Sequence, residues 1–329
     1  MKFFSRRIIL ILLTVIIALP ALSSCNIEEI EELEINISVL SGTTGFGAAK
    51  LINDTIRGES DLNYAFAVES DASNITAGLI NGSIDIAALP TNAAATLYNK
   101  TGGKIKIAAV NTLGVLYLMT GEGVTVDDLS DLEGKTVFCP AQNPAFIFEA
   151  ICRANNLIPD ENITIDTGYA QPADLRAALV TGAVDIAVLP EPMVTIAKSA
   201  NDKLSVALDL TAEWEKAYGE GTLMQGCIVV RTEWAEAHPK ELYEFLSDYK
   251  SSIEITNAEP RKASECISGV GIFAGKADVA AKAIPNCNIV YIDGKEMAQG
   301  LDAFFARLYS INQASVGGKP VDENIYYLK

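Results

Sequence analysis

Ser41, Thr43 and Thr44 stand with three glycines in Ser41-Gly42-Thr43-Thr44-Gly45-Phe46-Gly47. Hydroxyls of this kind hydrogen-bond a small molecule, and glycine lets backbone amides approach it closely. A phosphate loop needs lysine where Ala48 stands, so that motif is excluded. Asp85 and Asp185 are a second candidate, as a carboxylate pair for acid–base chemistry. Each follows a glycine by three positions in a repeated segment, so the two occupy equivalent places in separate units. Turn hydrogen bonds are the expected role.

Metal chemistry has little to work with. His238 is the only histidine, and it lies in Glu236-Ala237-His238-Pro239-Lys240, where it reads as a solvent residue ahead of the proline that opens a helix. The cysteines after Cys25 are Cys139, Cys152, Cys227, Cys266 and Cys287, with no CxxC pair. An odd number cannot all pair within the chain. Cys266 and Cys287 are close enough in sequence for a disulfide, and free buried thiols are the favoured alternative. No metal and no cofactor is expected.

The elements that position these groups follow from an internal repeat. Ala77-Gly78-Leu79-Ile80-Asn81-Gly82-Ser83-Ile84-Asp85-Ile86-Ala87-Ala88-Leu89-Pro90 returns as Ala177-Ala178-Leu179-Val180-Thr181-Gly182-Ala183-Val184-Asp185-Ile186-Ala187-Val188-Leu189-Pro190. Each copy reads as a helix stopped by a left-handed glycine, a turn through Asp, and a buried strand ended by Pro. The preceding unit echoes too: Ile37-Ser38-Val39-Leu40 leads through the Ser41 loop into a helix, as Thr136-Val137-Phe138-Cys139 does through Pro140-Ala141-Gln142-Asn143-Pro144.

The expected fold class is therefore α/β, with two Rossmann-like lobes. Strand-like runs fall near 35–40, 63–68, 84–89, 105–110 and 114–119, then near 135–139, 163–167, 184–189, 204–208 and 226–231. Beyond 232 strands become scarce and the pattern turns helical. The expected division is 35–113 with 226–329 as the first lobe and 114–225 as the second, with crossings near 111–119 and 220–228 as a two-strand hinge.

The N-terminus carries an address. The apolar run Ile8–Leu19 follows Arg6 and Arg7 and is shorter than the ~20 residues of a membrane-spanning helix, which makes it a secretory core. Leu22-Ser23-Ser24-Cys25 resembles the bacterial lipobox, whose cysteine is diacylated. Residues 1–24 are then a lipoprotein signal peptide, Cys25 the lipidation site, and the acidic stretch 25–34 a tether. The body is expected outside the cytoplasmic membrane, held to it by lipid.

Charge narrows the partners. The formal net charge is −17, from 25 Lys+Arg against 42 Asp+Glu, which excludes the clustered basic surface that nucleic acid requires. It equally disfavours a polybasic membrane footprint. With 49% hydrophobic and 20% charged residues over 329 positions, the chain has the composition of a packed protein of about two domains. It is expected to act as a monomer.

Taken together, the lipobox, the strand–Ser41-Gly42-Thr43-Thr44-Gly45 loop, Gly82-Ser83-Ile84-Asp85-Ile86-Ala87, Asp131-Leu132-Glu133-Gly134-Lys135-Thr136-Val137 and Asp185-Ile186-Ala187-Val188-Leu189-Pro190-Glu191-Pro192 resemble the solute-binding proteins of ABC importers. The similarity is to the type II branch that handles alkanesulfonates, taurine, nitrate and thiamine precursors. It implies two lobes joined by two strands, a ligand in the cleft between them, and a membrane permease as partner.

Strand carboxyl ends select the same cleft, because loop amides and helix N-termini converge there. Candidate ligand contacts are Ser41, Thr43, Thr44, Phe46, Thr91 and Asn92 from the first lobe and Gln142, Asn143, Tyr169 and Glu191 from the second. Hydroxyls and amides at these places also serve as helix caps, and the aromatics as core. None of Arg57, Arg153, Arg176, Arg231, Arg261 and Arg307 lies in the cleft loops. Together with Glu191 this favours a neutral or cationic heteroaromatic solute over an Arg-clamped anion. Non-catalytic delivery of a solute to a permease is the leading expectation. The alternatives are an enzyme of cofactor-precursor metabolism on the same fold and a ligand-sensing surface lipoprotein.

Overall fold

The computed structural model describes residues 33–328. The segment expected to be a signal peptide, Cys25, and the expected tether up to residue 32 lie outside the described residues. The chain opens with β1 (Glu34–Leu40), α1 (Thr43–Phe46), α2 (Ala49–Ile56), β2 (Asn63–Glu69), α3 (Ala72–Asn81), β3 (Ile86–Pro90), α4 (Thr91–Thr101) and β4 (Ile105–Thr112). A second run follows as β5 (Leu116–Thr120), β6 (Thr136–Phe138), α5 (Asn143–Ala154), β7 (Thr164–Asp166), α6 (Pro172–Thr181), β8 (Ile186–Pro190), α7 (Met193–Ala200), β9 (Ser205–Asp209) and α8 (Leu210–Tyr218). The remainder holds β10 (Gly226–Arg231), α9 (Thr232–Ala237), α10 (Pro239–Ala258), α11 (Pro260–Gly269), α12 (Ala277–Ala283), β11 (Ile289–Ile292) and α13 (Gly294–Ile311).

Two mixed sheets result. The first has six strands in the order β11-β4-β10-β3-β1-β2, and the second five in the order β7-β6-β8-β5-β9. In the first, β1 is parallel to β2 and β3, while β10 runs antiparallel between β3 and β4. The second repeats the scheme, with β8 parallel to β6 and antiparallel to β5. The chain crosses between the sheets over residues 113–115 and returns over 219–225.

The repeat explains itself locally. α3 starts at Asp71, whose carboxylate accepts from the Ser73 amide at 2.8 Å, and ends at Gly82 with φ +87°; α6 ends the same way at Gly182 with φ +73°. Only glycine takes that left-handed C-terminal position without strain. After each glycine the strand residues 86–89 and 186–189 are buried, as strands covered on both faces must be. Asp85 accepts from the Asn36 amide at 3.0 Å and pairs with Arg231 at 3.6 Å. Asp185 precedes β8 of the other sheet and is exposed, its backbone carbonyl accepting from Gly121, so the two carboxylates stand apart and form no pair.

The tail beyond 225 supplies β10 and β11 to the first sheet, and its last helix also reaches the second lobe. Phe304 of α13 meets Trp214 of α8 edge-on at 5.5 Å, and the Arg307 guanidinium lies 4.2 Å from the Tyr218 ring. All five described cysteines are free thiols, four of them buried, so Cys266 and Cys287 are not bonded. His238 ends α9 with its ring 5.2 Å from that of Trp234. No helix among the described residues is long and apolar enough to cross a membrane.

Candidate functional site

The loops after β1, β3, β6 and β8 form the candidate site. Ser41 is tied to the end of β2 by its amide, which donates to the Glu69 carbonyl at 2.8 Å, and Gly42 donates to Ile272 at 3.1 Å. At Gly45 an added Cβ would lie 2.4 Å from the Leu40 carbonyl oxygen. The turn can therefore close only with glycine. Asn111, buried at the end of β4, donates through its carboxamide to the Thr44 carbonyl and to the Tyr249 hydroxyl, both at 2.9 Å.

Three sequence candidates are placed elsewhere. Phe46 is fully buried in the first-lobe core, edge-on to Phe273 at 6.2 Å, because the tight turn before it aims the ring inward. It offers no face to a ligand. Thr91 is also fully buried: its hydroxyl donates to the Met224 carbonyl at 2.7 Å and its amide to Gln225 at 3.0 Å. Glu191 follows the β8 strand end at a cis bond to Pro192 and is 3% exposed. Its carboxylate accepts from the Thr195 amide at 3.1 Å and the Thr195 hydroxyl at 2.8 Å. Burial raises its pKa, opposed by the hydrogen bonds from Thr195 and Asn286; its acceptors are engaged within the protein.

The other candidates keep free chemistry. Asn92 Oδ1 and Asn143 Oδ1, one from each lobe, are buried with no hydrogen-bond partner, a costly arrangement unless another donor fills it. Gln142 is exposed and holds φ 67°, ψ −127°, a region that glycine favours. Tyr169 is half-buried, edge-on to Phe138 at 5.9 Å. Thr43 and Thr44 are half-buried in α1.

Two cavities join the lobes. One of about 570 Å³ is lined by Ser41, Gly42, Glu69 and Ser70 of the first lobe, by the loop Gly271–Gly275, and by Pro192, Met193 and Ile196 of the second. The other, about 460 Å³, runs along α3 and α4 and brings Asn92 together with Gln142 and Phe146. Both volumes fall within the ~300–1,000 Å³ of small-molecule sites. Thr43, Thr44, Asn143 and Tyr169 line neither. No Lys or Arg lines the larger cavity, and Glu69 does; Lys100 lines the other.

Sequence reasoning missed Glu69, Ser70, Met193, Ile196, Ile272 and Phe273. Glu69-Ser70 closes β2, so the strand-end rule applied to that strand finds it. Residues 271–275 reach the cavity only through tertiary closure. Among the described residues no group of three or more His, Cys, Asp or Glu side chains is placed to hold a metal ion.

Two α/β lobes, two crossings and a cavity between strand-end loops define a periplasmic-binding-protein fold. Solved structures share it: an ABC transporter from Parabacteroides distasonis (TM-score 0.75, 23% identity, 90% of this chain and 99% of that chain) and the periplasmic aliphatic sulphonate binding protein SsuA from Escherichia coli (TM-score 0.72, 16% identity, 90% of this chain and 92% of that one). A ligand-binding component of an ABC-type import system from Staphylococcus aureus, solved with zinc bound, is also similar (TM-score 0.68, 15% identity, 90% and 96%). The NMT1/THI5-like family model matches residues 58–263, more than half of the chain, and the protein belongs to that family. No curated protein matched the sequence.

Proposed function

We propose that the protein is an extracytoplasmic receptor, anchored through a lipid on Cys25 after removal of residues 1–24, that binds a small solute between its lobes and hands it to an ABC permease. The observation that carries the reading is the cavity of about 570 Å³ shared by strand-end loops of both lobes. Ser41 is its proposed contact in that cavity; Asn92 and Gln142, which line the other cavity, and Thr43, Thr44, Asn143 and Tyr169, which line neither, are proposed contacts from the neighbouring loops. The solute is neutral or cationic, and a flat heteroaromatic ring with N–H groups suits the place. Glu69 in the cavity repels an anion, and the partnerless Asn92 and Asn143 oxygens accept from N–H donors.

Native mass spectrometry of the purified protein tests this by identifying what it carries. Calorimetry with that compound is expected to give one equivalent bound, with a higher melting temperature by mass action and a smaller radius of gyration. An unchanged radius at saturation, a purely anionic solute, or chemical turnover of the compound would each overturn the reading.

A further inference from the structure

A first-lobe turn grips the second lobe where neither the repeat nor solute binding calls for contact. After α12 the chain makes a single 3-10 turn at Ile284–Asn286 and reaches β11 at Ile289. The Asn288 carbonyl accepts from the Leu113 amide at 3.0 Å, and the Asn288 carboxamide donates to the Gly114 carbonyl at 2.5 Å. Both bonds hold the first crossing. Asn288 sits at φ 44°, which asparagine tolerates better than most residues.

Across the cleft, the Tyr117 hydroxyl on β5 donates to the Asn286 carbonyl at 3.0 Å. In addition, α12 packs against α7 of the second lobe. Two crossings define an axis of rotation; side-chain contacts between the lobes fix an angle about it. Hinged lobes whose states differ by a few kcal/mol respond to a single such contact.

We propose that the turn Asn286–Asn288 is a non-covalent strut between the lobes, distinct from the α13 contact, which sets the resting angle of the cleft through Tyr117 and the first crossing. The proposal rests on the two-lobed fold and goes beyond the receptor reading.

The test needs no solute, so it stands or falls apart from that reading. Genetically encoded spin labels at Ile56 in the first lobe and Asp202 in the second, both exposed, report the inter-lobe distance by pulsed EPR in the solute-free protein. Tyr117→Phe is expected to shift and broaden the distribution. Tyr64→Phe is the control: it removes an equally defined hydroxyl bond, to the Asp248 carboxylate at 2.8 Å, inside the first lobe, and should leave the distribution unchanged. A folded Tyr117→Phe protein with the wild-type distribution, or a control that loosens it equally, overturns the proposal.

Discussion

Thr91 and Met224 are joined by a hydroxyl-to-carbonyl hydrogen bond of 2.7 Å that ties the end of β3 to the second crossing. The other lobe mirrors the tie in its backbone: the Glu191 amide donates to the Val115 carbonyl at 2.9 Å in the first crossing. Each repeated strand end thus hangs from a crossing. Thr91→Val leaves the Met224 carbonyl without its donor and is expected to cost about 1–3 kcal/mol, read from urea unfolding, whereas Thr91→Ser keeps the bond and most of the stability. Wild-type stability in the valine variant would show that this tie carries no part of the stability.

Glu191 imposes a pH dependence of known sign. Burial raises its pKa in the folded protein, so the folded state holds that proton more tightly than the unfolded chain does. Its contribution to stability is greatest below the ordinary glutamate pKa and declines as pH rises through the raised value. Glu191→Gln should remove that decline. The stability difference between wild type and variant, followed across this window, must therefore change with pH; a constant difference would contradict the assignment.

Gln142 stores strain beside the cleft. A side chain in its backbone region costs of order 1–3 kcal/mol, and glycine relieves it at some entropic cost in the unfolded chain. Gln142→Gly is expected to raise stability by about 1 kcal/mol while weakening capture of the co-purified solute severalfold. Loss of stability would show that the conformation is not strained, and unchanged affinity would remove Gln142 from the contacts.

The proposed anchoring is separable from folding. Cys25→Ala should move the protein from the membrane fraction to the soluble one, because the acyl chains supply the membrane affinity, with the melting temperature of the body unchanged. A variant that stays on the membrane would defeat the lipobox reading.

Much of the fold was legible because the repeat writes the same signal twice: a helix-stopping glycine, a turn and a doubly buried strand need only nearby residues. β11 and the loop 271–275 were not, since nothing local marks a segment that matters only once distant chain closes around it. The site was legible at the level of loops and less so at single residues. Thr91 and Phe46 have types that serve a ligand or the core equally well, and burial decided between these roles. The bonds engaging Glu191 come from Thr195, one turn on, and from Asn286, far along the chain; the second of these no sequence pattern marks.

The position of β10 also dictates an order of assembly for a chain emerging N-terminus first. β3 and β4 are complete by Thr112, yet the strand that joins them begins only at Gly226. All five strands of the second sheet lie between those points, so it can close while the first still has an open slot flanked by two unsatisfied edges. A chain ending after residue 225 would keep one whole sheet and expose a β-strand-wide vacancy in the other. Holding that vacancy open until the C-terminal segment arrives is the step most exposed to mispairing and aggregation as the chain folds.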